Sequence, residues 1–105
     1  MIFVELPLFQ KYLQFTDEEL AKIQEEILED PRRGDLVPGG RGLRKLRAAI
    51  AGRGKRGGAR VIYYLWNERD RCYLLFAYAK NVQGDLTPAQ LKTLAAVMAK
   101  ELDDG

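Results

Sequence analysis

The 105-residue chain has no histidine and a single cysteine, Cys72. Without histidine there is no Ser-His or Cys-His nucleophile and no histidine-based zinc site. One cysteine excludes an internal disulfide and a cysteine-rich metal site, so no metal and no cofactor is expected. No apolar run approaches the length of a bilayer span, so no membrane partner is expected either. The opening Met-Ile-Phe-Val meets Glu5 and Pro7 at once, which is not the pattern of a secretory leader. A cytoplasmic protein is the expectation. Disorder is also excluded, because 47% of the residues are hydrophobic and 30% are charged, enough for a packed core under a charged surface. The length suits one domain, residues 1–105.

Acidic residues are missing from the middle of the chain. None stands between Asp35 and Glu68, whereas nine lie in the first 40 positions: Glu5, Asp17, Glu18, Glu19, Glu25, Glu26, Glu29, Asp30 and Asp35. The gap is filled by cations. Arg41 to Tyr64 reads RGLRKLRAAIAGRGKRGGARVIYY and carries Arg41, Arg44, Lys45, Arg47, Arg53, Lys55, Arg56 and Arg60. The net charge of +2 therefore hides a strong separation into an acidic helical side and a basic strand side. Cations interleaved with glycines and tyrosines point to a polyanion, RNA above all. On residue types alone a solvated basic loop between two strands fits equally well.

Ile2 to Leu6 reads as a strand ended by Pro7, and Leu8, Phe9, Tyr12, Leu13 and Phe15 suggest one or two helical turns. Thr16 to Glu19 is a capping box that opens a second helix. Leu20, Ile23, Ile27 and Leu28 recur there at helical spacing, and Pro31 stops the helix near Asp30. Gly34 to Gly42 is a loop. Arg44 to Ala49 reads as a strand with Leu46 and Ala48 inward, which puts Lys45 and Arg47 together on the other face. Ala51 to Gly58 reads as a flexible loop. Arg60 to Trp66 and Arg71 to Ala79 are strands joined by a turn at Asn67 to Asp70. Thr87 to Gln90 is another capping box, with Pro88 at the first helical position of a last helix lined by Leu91, Leu94, Ala95, Met98 and Leu102. The predicted order is β-α-α-β-β-β-α. This is an α+β fold with a largely antiparallel sheet and helices covering one face. Trp66 and Cys72 are assigned to packing.

With these residues in place, that order resembles the RelE/HigB superfamily of bacterial type II toxins, and the HigB branch most closely. The likeness covers nearly the whole chain. It is carried by Pro31 to Asp35 (PRRGD), Gly42 to Arg47 (GLRKLR), Lys55 to Tyr64 (KRGGARVIYY), Tyr73 to Asn81 (YLLFAYAKN) and Asp85 to Gln90 (DLTPAQ). The resemblance implies a small endoribonuclease that enters the A site of the 30S ribosomal subunit and cuts mRNA there. It also implies silencing by a cognate antitoxin, HigA-like and bearing a helix-turn-helix domain.

Metal-free RNA cleavage needs a deprotonated 2′-hydroxyl, stabilisation of the phosphorane charge, and a proton for the leaving 5′-oxygen. Arginine and lysine meet the second need through charge-assisted bonds to phosphate. Lys45 and Arg47 resemble the basic pair that the family places on its second strand. Arg60 matches an arginine at the start of the third. Tyr78 and Lys80 lie near the end of the fourth, at the family's active-site edge. Many relatives carry Arg or His just after that lysine, but this chain has Asn81, whose amide cannot serve as a general acid. Lys80 or a tyrosine is then the candidate acid. Arg41, Arg44, Arg53, Lys55 and Arg56 are candidates for phosphate contact. Tyr63 and Tyr64 point to opposite faces of a strand, so one packs and the other, Tyr64, is the candidate for base stacking. Two alternatives remain open at this point: a non-catalytic RNA- or ribosome-binding protein, and a superfamily relative that inhibits gyrase.

Overall fold

Among the described residues, five strands form one sheet: β1 (Ile2–Glu5), β2 (Asp35–Leu36), β3 (Arg44–Ala48), β4 (Ala59–Trp66) and β5 (Arg71–Ala79). Their spatial order is β1-β5-β4-β3-β2. Helix α1 (Asp17–Glu29) lies between β1 and β2 in the chain, and α2 (Pro88–Asp104) follows β5. The computed structural model describes residues 1–50 and 58–104. The expected loop from Ala51 falls mostly outside the described residues, and so do Arg53, Lys55 and Arg56. The α+β class expected from the sequence is the class observed. β1 pairs with β5 in parallel and the other three pairings are antiparallel.

Both capping boxes form. Thr16 Oγ1 accepts from the Glu19 N–H at 3.1 Å, and the Glu19 carboxylate accepts from the Thr16 N–H at 2.9 Å. The α1 helix ends because Pro31 disfavours helical backbone at the residue before it, and Asp30 sits at φ −147°, ψ 89°. At α2 the same reciprocal pair joins Thr87 and Gln90, at 3.1 and 3.0 Å.

Two expectations need correction. The segment after Pro7 is not a helix but a run of turns, with Phe9 N–H donating to the Leu6 carbonyl and Lys11 N–H to that of Leu8. Between Pro7 and Thr16 there is too little chain to offset the cost of nucleating a helix. Burial of Phe9 and Leu13, and Gln10 Oε1 accepting from the Phe15 N–H, set the path instead. The observed order is thus β-α-β-β-β-β-α, with the two-residue β2 added.

The helices also do not share a face. Ile23 and Ile27 of α1 pack with Leu46, Val61, Tyr63 and Leu74. Leu94 and Met98 of α2 pack with Leu43, Ile62, Tyr73 and Phe76. A sheet covered on both sides needs central strands that are apolar throughout, and Cys72 to Tyr78 of β5 are all buried.

An irregularity in the β4–β5 pairing decides which face Tyr78 takes. Ile62 pairs with Phe76 but Tyr63 pairs with Leu74, so Leu75 is an extra residue in β5. It leaves Leu75 and Phe76 both on the α2 face and returns Ala77 to the α1 face. Strict alternation would have turned Tyr78 toward α1. With the bulge, Tyr78 joins the α2 face, opposite Arg60.

Candidate functional site

Cross-strand register brings three of the expected site residues into one row. Arg47 on β3 pairs with Arg60 on β4, and Arg60 pairs with Tyr78 on β5. All three side chains belong to the α2 face, because Leu46, Val61 and Ala77 beside them belong to the α1 face. Lys45 lies two residues along β3 from Arg47, on the same side. The sequence-derived set of Lys45, Arg47, Arg60 and Tyr78 is therefore gathered at one place. The acidic first turn of α1 belongs to the helix on the opposite face.

The row sets like charges side by side. Like charges directly opposite each other on paired strands repel, and Arg47 and Arg60 are such a pair. Arg60 is also only 6% exposed, so its guanidinium has lost most of its hydration. One of its nitrogens donates to the Ala59 carbonyl at 3.2 Å. Arg47 is exposed. A guanidinium is a planar group with several N–H donors, the kind of group that binds an anion such as phosphate.

Tyr78 is 3% exposed, with its ring tilted against Phe76 at 6.2 Å between centroids. Burial pushes its hydroxyl up to about 12, helped by the nearby Asp85 carboxylate and opposed by Arg60. The phenol stays protonated at neutral pH and can donate. Its oxygen lies 3.5 Å from Asp85 Oδ1, too long for a strong bond.

Asp85 is the residue that sequence reasoning missed, although it opens the DLTPAQ segment. Its Oδ1 lies 3.2 Å from Lys45 Nζ and accepts from the Leu86 N–H at 2.8 Å. The Leu86 N–H, then Lys45, holds its carboxyl below the usual carboxylate range. A usable signal was present: it is the lone acidic residue between Arg71 and Lys100.

The remaining candidates fall elsewhere. Lys80 is exposed just past β5, and its ammonium donates to the Gly84 carbonyl within its own loop. Arg44 turns to the α1 side, where one nitrogen donates to the Gly34 carbonyl at 2.8 Å and to that of Arg32 at 3.4 Å. It fastens the PRRGD loop and does not join the row. Tyr63 fastens the same loop: its hydroxyl accepts from the Gly34 N–H at 2.9 Å and donates to the Pro31 carbonyl at 2.8 Å. Arg41 is exposed on the turn before β3 and borders a groove with Leu91 and Lys92 of α2, away from the row. Tyr64 is half-buried among the side chains under α2 and lies against Gly42, where φ is +102° and a Cβ would come 2.8 Å from its ring.

Among the described residues no cluster of three His, Cys, Asp or Glu side chains is arranged to hold a metal ion, and no helix is long and apolar enough to cross a membrane.

Fold and site together define a small α+β protein that sets guanidiniums, an ammonium and a protonated phenol on one sheet face, a combination suited to a phosphodiester. The family model described as the RelE toxin of the RelE/RelB toxin-antitoxin system matches residues 5–104. The chain belongs to the RelE toxin family. That membership makes it the toxin half of a toxin–antitoxin pair and implies an antitoxin partner. RelE-family toxins are in general endoribonucleases.

Proposed function

We propose that this chain is a HigB-type toxin, an endoribonuclease that cuts mRNA in the A site of the 30S subunit until a HigA-like antitoxin restrains it. The observation that carries this reading is the Arg47–Arg60 pair. Two guanidiniums set opposite each other on paired strands, with Lys45 on the same face, suit the charge and the oxygens of a phosphate.

In the proposed reaction the 2′-hydroxyl gives up its proton to a solvent water and attacks the adjacent phosphorus in line with the departing 5′-oxygen. Arg60 and Arg47 hold the non-bridging oxygens and stabilise the charge that grows on them, and Lys45 adds a third cation. Tyr78 gives its proton to the 5′-oxygen. It is preferred to Lys80 as the acid because it stands in the row, whereas the Lys80 ammonium is turned to the Gly84 carbonyl. The P–O5′ bond breaks, and the products are a 2′,3′-cyclic phosphate and a 5′-hydroxyl.

Asn81, exposed where relatives carry Arg or His, favours one other reading: a toxin that blocks the ribosome without cutting. A single experiment separates the two. The 5′ ends of ribosome-bound mRNA are mapped after a short pulse of expression, and the end groups of the upstream fragments are identified. Cuts at the A-site codon with cyclic or 3′-phosphate ends are expected. Translation arrest with intact mRNA would establish the blocking reading, and 3′-hydroxyl ends would overturn the mechanism.

A further inference from the structure

The cation expected to serve RNA at position 45 is already engaged. Lys45 Nζ lies 3.2 Å from Asp85 Oδ1. Asp35 is the direct cross-strand partner of Lys45, yet the ammonium pairs with Asp85, 40 positions further along the chain.

Asp85 is exposed but not loosely placed. Its carbonyl accepts from Gln83 Nε2 at 2.9 Å. Gln83 is locked to Gln90 in the first turn of α2 by reciprocal hydrogen bonds between their carboxamides, Gln83 Nε2 donating to Gln90 Oε1 at 2.8 Å and Gln90 Nε2 to Gln83 Oε1 at 3.3 Å. The carboxylate is held by the Leu86 N–H at 2.8 Å, and Lys80 donates to the Gly84 carbonyl next door. One oxygen, Oδ1, takes the Leu86, Lys45 and Tyr78 contacts. The loop thus delivers a fixed anion to the border of the cationic row.

We propose that Asp85 is a specificity-determining residue: its carboxylate stands on Lys45 where an RNA phosphate would bind, and RNA gains that cation only by displacing it. The carboxylate side chain is 70% exposed and that of Lys45 31% exposed, so the pair is weak and can be exchanged. A buried pair would lock the site shut. An exposed one withholds a phosphate contact from RNA met in passing and yields it to RNA held in register on Arg47 and Arg60. This inference rests on the proposed RNA-binding role of the row and not on cleavage.

The test is binding of an uncleavable 2′-O-methyl single-stranded RNA, followed by fluorescence anisotropy over a range of salt. Asp85→Asn keeps an oxygen for the Leu86 N–H and removes only the charge. It should bind tighter, by up to about fivefold at low salt, the equivalent of one exposed ion pair. The slope of log K against log salt should steepen by about 0.7, one added phosphate contact on a single strand. The gain should vanish in Asp85→Asn/Lys45→Ala. Asp35→Asn, which removes the same charge from beside the same lysine, should not change the slope. Unchanged or weaker binding by Asp85→Asn, or a gain that survives Lys45→Ala, would overturn the proposal. If no form of the protein binds the RNA at low salt, the RNA-binding reading falls and this inference falls with it.

Discussion

Replacing Tyr78 by Phe removes one oxygen and leaves the ring on Phe76. The lost hydroxyl lies 3.5 Å from Asp85 Oδ1, beyond the range of a strong bond, so the stability cost should stay under about 1 kcal/mol. The kinetic cost should be much larger. General acid catalysis contributes about 10²–10⁴ in rate, and most when the acid's pKa lies near the working pH. Tyr78 is pushed up to about 12 by burial first and by Asp85 second, which puts it at the low end, about 10². The assay is single-turnover cleavage on programmed ribosomes, with thermal melts as the folding control. The pH–rate profile of the parent should show no descending limb from Tyr78 below about pH 10, since the phenol stays protonated there. The decisive substrate carries sulfur in place of the bridging 5′-oxygen. A thiolate leaves without a proton, so parent and Tyr78→Phe should cut it at equal rates. A deficit that persists on the sulfur substrate would refute the role as acid and leave Tyr78 as a positioning residue. No deficit on ordinary RNA would move the acid elsewhere, to Lys80 first.

Arg60→Ala should lose about 10²–10³ in the cleavage step, as removal of one transition-state donor does, and Arg60→Lys should recover part of it because the ammonium lacks the planar fork; cutting at the parent rate would show that Arg60 does not face the phosphate. Tyr63→Phe should destabilise the fold by about 2 kcal/mol, because it leaves the buried Gly34 N–H and the Pro31 carbonyl without their partner. In a chain of this size that is a fall of about 10 °C in Tm, and an unchanged Tm would mean that the PRRGD loop is held by Arg44 instead. The Cys72 thiol, pushed up to about 12 by burial, should resist thiol reagents at pH 8 in the native protein and react once urea unfolds it. Its neutral form is favoured by folding, so this contribution to stability is complete below about pH 9 and is lost as pH rises toward 12; rapid labelling of the native protein would contradict the packing around β5.

Local chemistry was the legible part of the fold. Capping boxes and prolines act through bonds within a few residues, and both helices begin where Thr16 and Thr87 place them. What failed depended on contacts distant in the chain. Leu8 to Phe15 has an apolar spacing that a helix would satisfy, but Phe9 and Leu13 reach the core from turns instead. The side on which α2 lies was open to inference from β5. Seven consecutive buried residues, Cys72 to Tyr78, cannot belong to a strand with one wet face.

The candidate site shows the same division. Period-two alternation alone puts Lys45 and Arg47 on one face. Joining them to Arg60 and Tyr78 requires the register of two strand pairs, and one of those turns on the extra residue Leu75. A slip of one residue would send Tyr78 to the α1 side and leave the arginines without a phenol. Asp85 was harder still, since it lies in the loop after β5 and its partner Lys45 stands on β3, with the whole of β4 and β5 between them in the chain. Yet charge bookkeeping narrows the choice. In the 30 positions from Arg71 to Lys100 the chain places one acidic residue, and the structure fixes it beside a cation of the row. A lone carboxylate held by the Leu86 N–H and Lys45 at the border of a cluster of cations is not explained by solubility. It is explained if the cluster must not be fully open to every phosphate it meets.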